Sequence, residues 1–365
     1  MARFSALVLL ILSWLSSLSG AAAADPMRIA IARLTHTHAH WLFESEKMGD
    51  VEIVGIFEPN AELAARYLEQ YGKDEGLLFT DLDEMLEAVK PEGLTAFGSI
   101  AEHVGVVEAA APRGIHVMVE KPLAFSNSDA ERMKALAEEH QIHLLTNYET
   151  TWYPTTHAVG ERVASGDLGE VRRVVFRHGH QGPALIGVDD EFLEWLTDPE
   201  QNGGGALIDF GCYGANLMTW LMEGQRPRSV TAMTAQMQPN LYPNVDDDAT
   251  LLLDYGSTVA VVQGSWNWTH SVKDMTVYGT EVSLTALNRT FLEAQAAGSR
   301  EASQTALSGR PSPYDDPFSY FAGVVRGSIE IQPTDLSALE NNMIVVEILD
   351  AARESARTGQ TVRLD

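Results

Sequence analysis

The segment Arg28-Ile29-Ala30-Ile31-Ala32 decides how the first half of this chain folds. It is the first of several short apolar runs that alternate with amphipathic stretches as far as about Asn147, a pattern typical of a parallel sheet covered by helices. We therefore predict a doubly wound α/β domain over residues 27–147. The candidate strands are Arg28–Ala32, Val51–Phe57, Leu94–Gly98, His116–Val119 and His143–Leu145.

The second half of the chain has a different pattern. Past Trp152, longer β-type runs appear with only a few helices between them. This favours an α+β domain with an open, mostly antiparallel sheet over residues 148–365. We expect Asp335 to cap a last helix that runs to about Arg357 and packs back toward the first domain. The predicted strands are Val171–Phe176, Ser229–Ala235, Ala249–Leu253, Val259–Gly264 and Met275–Tyr278.

Composition excludes several classes of function. The 365 residues carry 25 Lys+Arg against 51 Asp+Glu, which gives a formal net charge of −26. Such a surface repels phosphate backbones and anionic lipid, so we predict no nucleic-acid partner and no membrane binding through basic patches. The single cysteine, Cys212, cannot form an internal disulfide.

The first 24 residues have the pattern of an export signal. Arg3 precedes the apolar run Ala6–Leu12, and small residues follow, ending in Ala22-Ala23-Ala24. A membrane anchor is the alternative, but the run is shorter than the roughly 20 residues that a span needs. We predict a signal peptide over residues 1–24, and a periplasmic or secreted protein with no membrane attachment after cleavage.

Two motifs carry most of the chemical information. Glu120-Lys121-Pro122 directly follows a predicted strand, which places Lys121 at the sheet edge where open α/β proteins bind ligands. The segment Gly203-Gly204-Gly205-Ala206-Leu207-Ile208-Asp209-Phe210-Gly211-Cys212-Tyr213 combines glycines that allow close backbone approach with Asp209 and Tyr213 on one helical face. These two side chains could act on one substrate oxygen. The plainer alternatives are a solvated lysine and an ordinary hydrogen bond on a helix surface.

The loop after the first strand departs from the G-x-G-x-x-G pattern of dinucleotide sites, because Arg33, Thr35 and His38 hold the glycine positions. In an extended loop, His36, His38 and His40 would point to one side, as in a metal site, whereas a helix would pair only His36 with His40. Hydrogen bonding near a helix start explains the imidazoles equally well. A metal-dependent hydrolase is therefore an alternative, but no further set of acids and histidines supports it, and we predict no metal.

Together, Glu120-Lys121-Pro122, the segment from Gly203 to Tyr213, the strand-ending Glu58 and the late Val277-Tyr278-Gly279-Thr280 resemble the glucose-fructose oxidoreductase/inositol dehydrogenase (Gfo/Idh/MocA) family. The likeness in order and spacing runs from about Met27 to Leu364. It implies an N-terminal Rossmann domain, a C-terminal open-sheet domain and a homo-oligomer. It also implies oxidation or reduction of a carbohydrate or related polyol with NAD or NADP.

The resemblance implies a role for each motif residue. Lys121 would contact the nicotinamide ribose and the substrate, Asp209 would orient the reacting groups, and Tyr213 would move the hydroxyl proton. The ammonium of Lys121 would make the phenol of Tyr213 a usable base. Glu58 would accept the ribose hydroxyls and repel a 2′-phosphate, so NAD is favoured over NADP.

Further site residues are predicted from their place in the chain. The cofactor-binding candidates, all at the carboxyl ends of the first strands, are Arg33, Thr35, His36, His38, Glu58, Ser99, His103, Glu120 and Lys121. The candidates for the substrate wall are His178, His180, Trp152 and Tyr153, with His180 favoured.

These observations predict an exported NAD-dependent carbohydrate oxidoreductase. Free dinucleotide is scarce outside the cytoplasm, so the cofactor is expected to stay tightly bound and to be recycled within the site. That raises the alternative of sugar interconversion or of glycoside cleavage through a transient ketone. A catalytically silent carbohydrate-binding protein is the remaining alternative.

Overall fold

The structure is a computed structural model that describes residues 25–364. The predicted signal peptide, residues 1–24, lies outside the described residues. Within the described part of the chain, no helix combines the length and the apolar character that a membrane crossing requires.

The first half of the chain forms a parallel sheet of six strands in the order β3-β2-β1-β4-β5-β6. The strands are β1 (Met27–Ala32), β2 (Val51–Phe57), β3 (Leu78–Phe79), β4 (Gly93–Ala96), β5 (His116–Glu120) and β6 (Leu144–Asn147). The helices between them are α1 (Ala39–Ser45), α2 (Ala61–Tyr71), α3 (Leu82–Val89), α4 (His103–Ala110) and α5 (Asn127–His140). The predicted doubly wound sheet is confirmed, and its strand order reverses between β1 and β4, where such folds bind ligands.

The second half forms a sheet of nine strands in the order β14-β13-β12-β11-β7-β10-β9-β8-β15. Neighbouring strands are antiparallel except β7 and β10, which are parallel, so the predicted mostly antiparallel sheet is confirmed. The strands are β7 (Val171–Gly179), β8 (Ser229–Ala235), β9 (Asp248–Asp254), β10 (Val259–Ser265), β11 (Val272–Gly279), β12 (Val282–Ala286), β13 (Phe291–Ala296), β14 (Ser303–Ala306) and β15 (Val362–Arg363). The helices are α6 (Pro154–Ala164), α7 (Pro183–Ile186), α8 (Asp190–Leu196), α9 (Pro199–Asn202), α10 (Ala206–Leu221), α11 (Pro317–Val325) and α12 (Leu339–Thr358).

The three glycines before α10 serve packing. A Cβ at Gly205 would overlap the backbone oxygen of Asp246, and a Cβ at Gly203 would overlap the side chain of Phe125. Gly203 also has a φ of +79°, a conformation that side chains rarely adopt. The close approach that the sequence indicated is therefore made to the protein's own backbone and side chains, and it sets the position of the α10 start against the first domain.

The end of the chain packs against both domains. Phe318 of α11 meets Phe97 edge-on in the core of the first domain, with ring centres 6.1 Å apart. Asp350 of α12 accepts a hydrogen bond at 2.9 Å from the backbone N–H of Asn127, at the start of α5. Asp335 does not cap α12, which begins at Leu339. Its carboxylate instead accepts from the backbone N–H of Gln332 at 2.7 Å and closes a turn before the helix.

Candidate active site

The centre of the site is an ion pair between the two sequence motifs. Lys121 follows the last residue of β5, and Asp209 lies in the first turn of α10. Lys121 Nζ donates to the backbone oxygen of Asp209 at 3.0 Å and pairs with its carboxylate, whose other oxygen accepts from Trp266 Nε1 at 2.9 Å. The Lys121 and Asp209 side chains are each only 7% exposed, so water does little to weaken their attraction.

Each of these two charges keeps the other ionised. Burial alone would lower the pKa of Lys121, but the Asp209 carboxylate raises it above its ordinary value. Burial would likewise raise the pKa of Asp209, but Lys121 lowers it. The result is a charged ammonium group at a strand end, suited to polarising a substrate oxygen.

Tyr213 lies one helical turn after Asp209 and is almost fully buried. Burial, followed by the charge of Glu149, raises the pKa of its phenol well above the ordinary value. This is opposite to the lowering expected from a neighbouring ammonium group. Lys121 Nζ and Lys273 Nζ do lie 5.3 and 4.9 Å from the ring centre, but each pairs with a carboxylate, so neither presents the phenol with an uncompensated charge. At neutral pH Tyr213 is therefore a proton donor.

These groups line a cavity of about 150 Å³ whose other lining residues come from both domains. His180, the favoured substrate residue, lines it together with Lys121, Asp209 and Tyr213. The Nδ1 atom of His180 accepts from the backbone N–H of Gly182 at 2.9 Å, and burial lowers the pKa of the ring. A neutral imidazole with Nδ1 as acceptor carries its proton on Nε2, so His180 is a hydrogen-bond donor.

His178, also predicted for the substrate wall, does not line the cavity but packs against Tyr213. It is buried in β7, its ring centre is 5.5 Å from that of Tyr213, and burial lowers its pKa to about 3. Because this imidazole stays neutral, it packs against Tyr213 without adding a charge.

Lys273 is a site residue that the sequence analysis missed. It lies on β11, lines the cavity and pairs with Glu149, which follows β6. The pair lowers the pKa of Glu149 to about 2 despite the opposing effect of burial. The alternation of side chains along a strand could have indicated it. If the strand begins at Val272, Lys273 lies on the same face of the sheet as Met275, which is the buried face. The predicted strand began too late to include it.

The loop after β1 has an unusual backbone. Arg33 has a φ of +72°, the left-handed region that favours glycine, which explains how the loop makes its turn without one. Its guanidinium group contacts Glu58 at 2.9 Å and Glu102 at 3.0 Å. The two carboxylate oxygens of Glu58 also accept from the backbone N–H groups of Asn60 and Leu34, each at 2.9 Å. Glu58 is fully buried, and its oxygens are occupied inside the protein in the conformation described.

The three histidines of this loop do not come together. His40 lies inside α1, which turns it toward α2, where it stacks on Tyr67 and its Nδ1 lies 2.7 Å from the hydroxyl of Tyr71. The triad proposed for a metal hydrolase is therefore not formed. His36 and His38 instead approach Glu120, and one ring nitrogen of each histidine and one carboxylate oxygen of Glu120 lie within 4.8 Å of one another.

Hydrogen bonding within that cluster argues against a metal. The backbone N–H of His38 donates to His36 Nδ1 at 3.0 Å, and burial keeps the pKa of His36 well below its ordinary value. His36 Nε2 then carries a proton where a metal would need a lone pair. His38 Nδ1 lies 2.9 Å from Glu120, whose pKa falls to about 2 because the two imidazoles and hydrogen bonds outweigh burial. This cluster therefore ties the loop to the β5 end.

The remaining candidates lie around the site without entering the cavity. Thr35 Oγ1 donates to the backbone oxygen of Phe97 at 3.3 Å. His103 is buried at the start of α4, with Nδ1 3.1 Å from the Leu123 backbone oxygen. Trp152 Nε1 donates to Asn147 at 2.9 Å, and the Tyr153 hydroxyl donates to Glu149. Neither Trp152 nor Tyr153 lines the cavity of about 150 Å³, so these aromatic side chains do not stack on a ligand there.

Residues 183–202, which include α7, α8 and α9, cover the carboxyl edge of the first sheet. Phe192 and Trp195 pack on His36, with ring centres 4.6 and 5.8 Å from it, and Ser99 Oγ donates to Gln201 at 2.7 Å. The 150 Å³ left beneath them is below the range of about 300–1,000 Å³ typical of ligand sites. In the conformation described, this cavity is too small for a dinucleotide.

The donors at this edge fit a nicotinamide dinucleotide. Trp195 Nε1 is buried and has no hydrogen-bond partner among residues 25–364. Arg33 Nε lies 3.0 Å from Glu102 without the alignment of a hydrogen bond. Both groups are suited to phosphate oxygens, while Lys121 is suited to a ribose hydroxyl. These donors surround the point where the strand order reverses, which is where a Rossmann sheet holds its dinucleotide.

Comparison with known proteins agrees with this geometry. Residues 28–148 match the family described as "Oxidoreductase family, NAD-binding Rossmann fold", and residues 156–285 match the GFO/IDH/MocA C-terminal domain. The chain is 29% identical to a D-xylose 1-dehydrogenase (NADP(+)) of Haloferax volcanii over 81% of this chain and 85% of that protein. It is 26% identical to a D-glucoside 3-dehydrogenase of Escherichia coli over 60% of each chain.

Among solved structures, an inositol dehydrogenase homologue complexed with NAD+ from Azotobacter vinelandii shares the fold, with a TM-score of 0.80 at 18% identity over 93% of this chain and 98% of that one. The two family matches, the double-domain fold and the Lys121–Asp209–Tyr213 constellation lead to one conclusion: the chain belongs to the Gfo/Idh/MocA family and is a nicotinamide-dependent oxidoreductase.

Proposed function

We propose that this protein is an exported, NAD-dependent oxidoreductase that interconverts a hydroxyl and a carbonyl on a sugar or related polyol. The observation that carries the proposal is the buried Lys121–Asp209 pair beside Tyr213, in a cavity of about 150 Å³ at the strand-order reversal. The names of the relatives, which include xylose and glucoside dehydrogenases, support the class of substrate.

The chain's own residues supply binding, orientation and proton transfer. Lys121, kept charged by Asp209, would polarise the reacting oxygen of the substrate. Tyr213 would give its phenolic proton to that oxygen when a carbonyl is reduced, and would take the proton back when a hydroxyl is oxidised. His180, with its proton on Nε2, would hold a neighbouring hydroxyl. The nicotinamide, when bound, supplies or accepts the hydride.

The preference for NAD is supported by Glu58 at the end of β2, whose negative charge would disfavour a 2′-phosphate. Its oxygens are occupied by Arg33 and two backbone N–H groups, so we expect the preference to act through charge. Arg33, 21% exposed, works in the opposite direction. Glu58→Gln is expected to improve the ratio of kcat/KM for NADP over NAD by about tenfold. An unchanged ratio would assign Glu58 a purely structural role.

Tight retention of the cofactor is supported by the covering segment, residues 183–202, because it packs over the carboxyl edge of the first sheet and leaves a cavity of only about 150 Å³ beneath it. Mass spectrometry of small molecules released from the denatured native protein tests cofactor and retention together. We expect close to one NAD per chain, and a change in near-ultraviolet absorbance when a sugar substrate is added. Protein that carries no nicotinamide and shows no spectral or thermal response to NAD or NADP would refute the proposal.

Export and assembly need their own measurements. The pattern of residues 1–24 supports export, and N-terminal sequencing of protein from the periplasmic or secreted fraction is expected to begin near Asp25. A homo-oligomer is expected from the family resemblance, and light scattering during gel filtration measures it. An intact N-terminus on cytoplasmic protein, or a monomeric mass, would contradict the respective expectation.

A further inference from the structure

We propose that Lys273 and Glu149 are positioning residues for the reaction, because each cancels the charge that the other would present to the phenol of Tyr213. The inference rests on the proposed function and deepens it, since it names the residues that decide when Tyr213 can take a proton from a substrate hydroxyl. Both residues lie outside the Lys121–Asp209 pair and outside the two motifs that indicated that pair in the sequence.

The ion pair bridges the two sheets beside the phenol. Lys273 lies on β11, opposite His178 of the neighbouring strand β7, and lines the cavity beside Tyr213. Its Nζ atom is 4.9 Å from the centre of the Tyr213 ring. Glu149, which follows β6, accepts a hydrogen bond from that Nζ and another from the hydroxyl of Tyr153. The pair therefore connects the end of the first sheet to the second sheet at the position of the ring.

Other titratable groups surround Tyr213 on β5, β6, β7 and α10. They are Glu120, Lys121, Tyr148, His178, His180, Asp209 and Cys212. Burial keeps four of them uncharged at neutral pH, because it raises the pKa of Cys212 to about 12 and lowers that of His178 to about 3. Burial also raises the pKa of Tyr148 and lowers that of His180. These four groups therefore add no charge at the phenol.

The charged members of that set are already bound to partners within the protein. The Glu149–Lys273 pair adds two further charges, which solvent screens only in part because the side chains are 27% and 22% exposed. After burial, Glu149 is the largest cause of the raised pKa of Tyr213. The pair is therefore a place where a change of charge reaches the phenol while Lys121 and Asp209 stay intact.

An ion pair and a single charge act differently on a phenol. Two opposite charges in contact largely cancel at a distance, whereas one charge within roughly 4–6 Å shifts a pKa by about 1–3. Loss of the Glu149 carboxylate would leave the ammonium of Lys273 to stabilise the phenolate, and loss of Lys273 would leave the carboxylate to oppose it. The two single variants therefore act on Tyr213 in opposite directions, which the breaking of a merely structural ion pair would not do.

The test follows the pH dependence of sugar oxidation in the single variants and the double variant. Glu149→Gln keeps an oxygen that can accept from Tyr153, and Lys273→Met keeps most of the volume of the lysine stem. With D-xylose and D-glucose as substrates, we expect the midpoint of the rise in kcat/KM with pH to fall by about one pH unit or more in Glu149→Gln. It should rise by as much in Lys273→Met and return close to the wild-type value in Glu149→Gln/Lys273→Met.

Arg177→Gln is the matched control. Arg177 Nε donates to Asp274 at 3.0 Å, and the alternation of side chains along β11 places Asp274 on the opposite face of the sheet from Lys273. This variant removes one cation from the same two strands and leaves the cavity wall unchanged, so the midpoint should stay at the wild-type value. Midpoints that move in the same direction in both single variants, that do not move, or that move equally in Arg177→Gln would overturn the inference.

A spectroscopic titration separates this inference from the proposed function. Nuclear magnetic resonance of protein labelled with carbon-13 at the tyrosine Cζ reports the ionisation of each phenol, and Tyr213→Phe identifies the signal of Tyr213. Circular dichroism at each pH defines the range in which the protein is folded. Within it, the signal should titrate at a pH lower by about one unit or more in Glu149→Gln than in wild type.

The two measurements distinguish the possible failures. A Tyr213 signal that does not titrate earlier in Glu149→Gln would contradict the inference and leave the oxidoreductase function intact. If the wild type oxidises no sugar, the proposed function fails, and the titration of Tyr213 alone decides the inference.

Discussion

Replacement of Lys121 by Met tests the physical basis of the site. Met keeps most of the volume of the lysine stem, so the change removes the charge and leaves little cavity. The Asp209 carboxylate then loses its ion pair and one of its two side-chain hydrogen-bond donors, and keeps only Trp266 Nε1 at 2.9 Å. A buried ion left without its partner typically costs about 3–5 kcal/mol, and we expect a loss in the free energy of unfolding of that size at neutral pH.

The double variant Lys121→Met/Asp209→Asn is the control for this prediction. An Asn side chain can still accept from Trp266 but carries no charge to be buried. Neutral replacement of both members of a buried pair is often close to neutral, so the double variant should lie within about 1 kcal/mol of wild type or above it. Urea denaturation followed by tryptophan fluorescence and circular dichroism measures the wild type, the Lys121→Met and Asp209→Asn single variants and the double variant, and a double variant as unstable as the sum of the two single losses would refute the reasoning.

The Lys121–Asp209 ion pair makes the free energy of unfolding depend on pH. In the wild type the pKa of Asp209 is lowered, so its contribution to stability is present above the unfolded pKa and is lost as pH falls through the folded pKa. The raised pKa of Lys121 gives a contribution that is present below its unfolded pKa and lost as pH rises through its folded value. In Lys121→Met, burial raises the pKa of Asp209 without the opposing charge of Lys121, although the Trp266 hydrogen bond remains, so the deficit against wild type should shrink as pH falls through that raised value. A deficit that is constant with pH would contradict this account.

Three further predictions concern proton transfer, the loop and the covering segment. Tyr213→Phe should lower turnover by at least about 100-fold. In the wild type, the rate of sugar oxidation should rise with pH through the alkaline range, because the pKa of Tyr213 is raised. A rate that is already constant at neutral pH would exclude Tyr213 as the proton acceptor. Arg33→Gly removes the strain of the positive φ, worth about 1 kcal/mol, but also removes the cation beside the buried Glu58. Thermal denaturation should therefore show a net loss of stability. A net gain of stability would show that the backbone strain is the larger effect. Phe192→Ala should speed exchange of bound dinucleotide by loosening the contact with His36, and an unchanged release rate in rapid-mixing experiments would show that α8 does not control access.

Much of the fold was predictable because the hydrophobic pattern of the sequence matches the burial of the strands in the structure. The strand Val51–Phe57 has the predicted bounds in the structure, as does Ser229–Ala235. The two-residue β3 (Leu78–Phe79) was missed because two half-buried residues are too short a run to show the alternation of a strand. The start of α12 was placed three residues early, since Asp335 is a good capping residue by type, but its carboxylate is used in the preceding turn.

The candidate site could be predicted only in part from the sequence. Glu120-Lys121-Pro122 and the segment from Gly203 to Tyr213 are readable as motifs, and parallel strands place the first of them at the ligand edge. The direction of the Tyr213 pKa was not predictable, because it depends on burial and on which carboxylates pair with the two nearby lysines. Lys273 escaped notice because the strand start that places it on the buried side depends on pairing with β7.

By itself, the sequence determined the class of each domain and the order of the elements, because these depend on periodicity. Its local motifs, together with the family resemblance, also indicated Lys121, Asp209 and Tyr213 as the proposed reacting set. Only the tertiary structure decided which charges meet. The Lys121–Asp209 pair joins residues 88 positions apart, and Glu149–Lys273 joins residues 124 positions apart. Coulomb interactions and burial depend on distance in space, which chain spacing does not report. The packing of α8 over His36, and the place of Lys273 in the cavity wall beside Tyr213, were decided at that level as well.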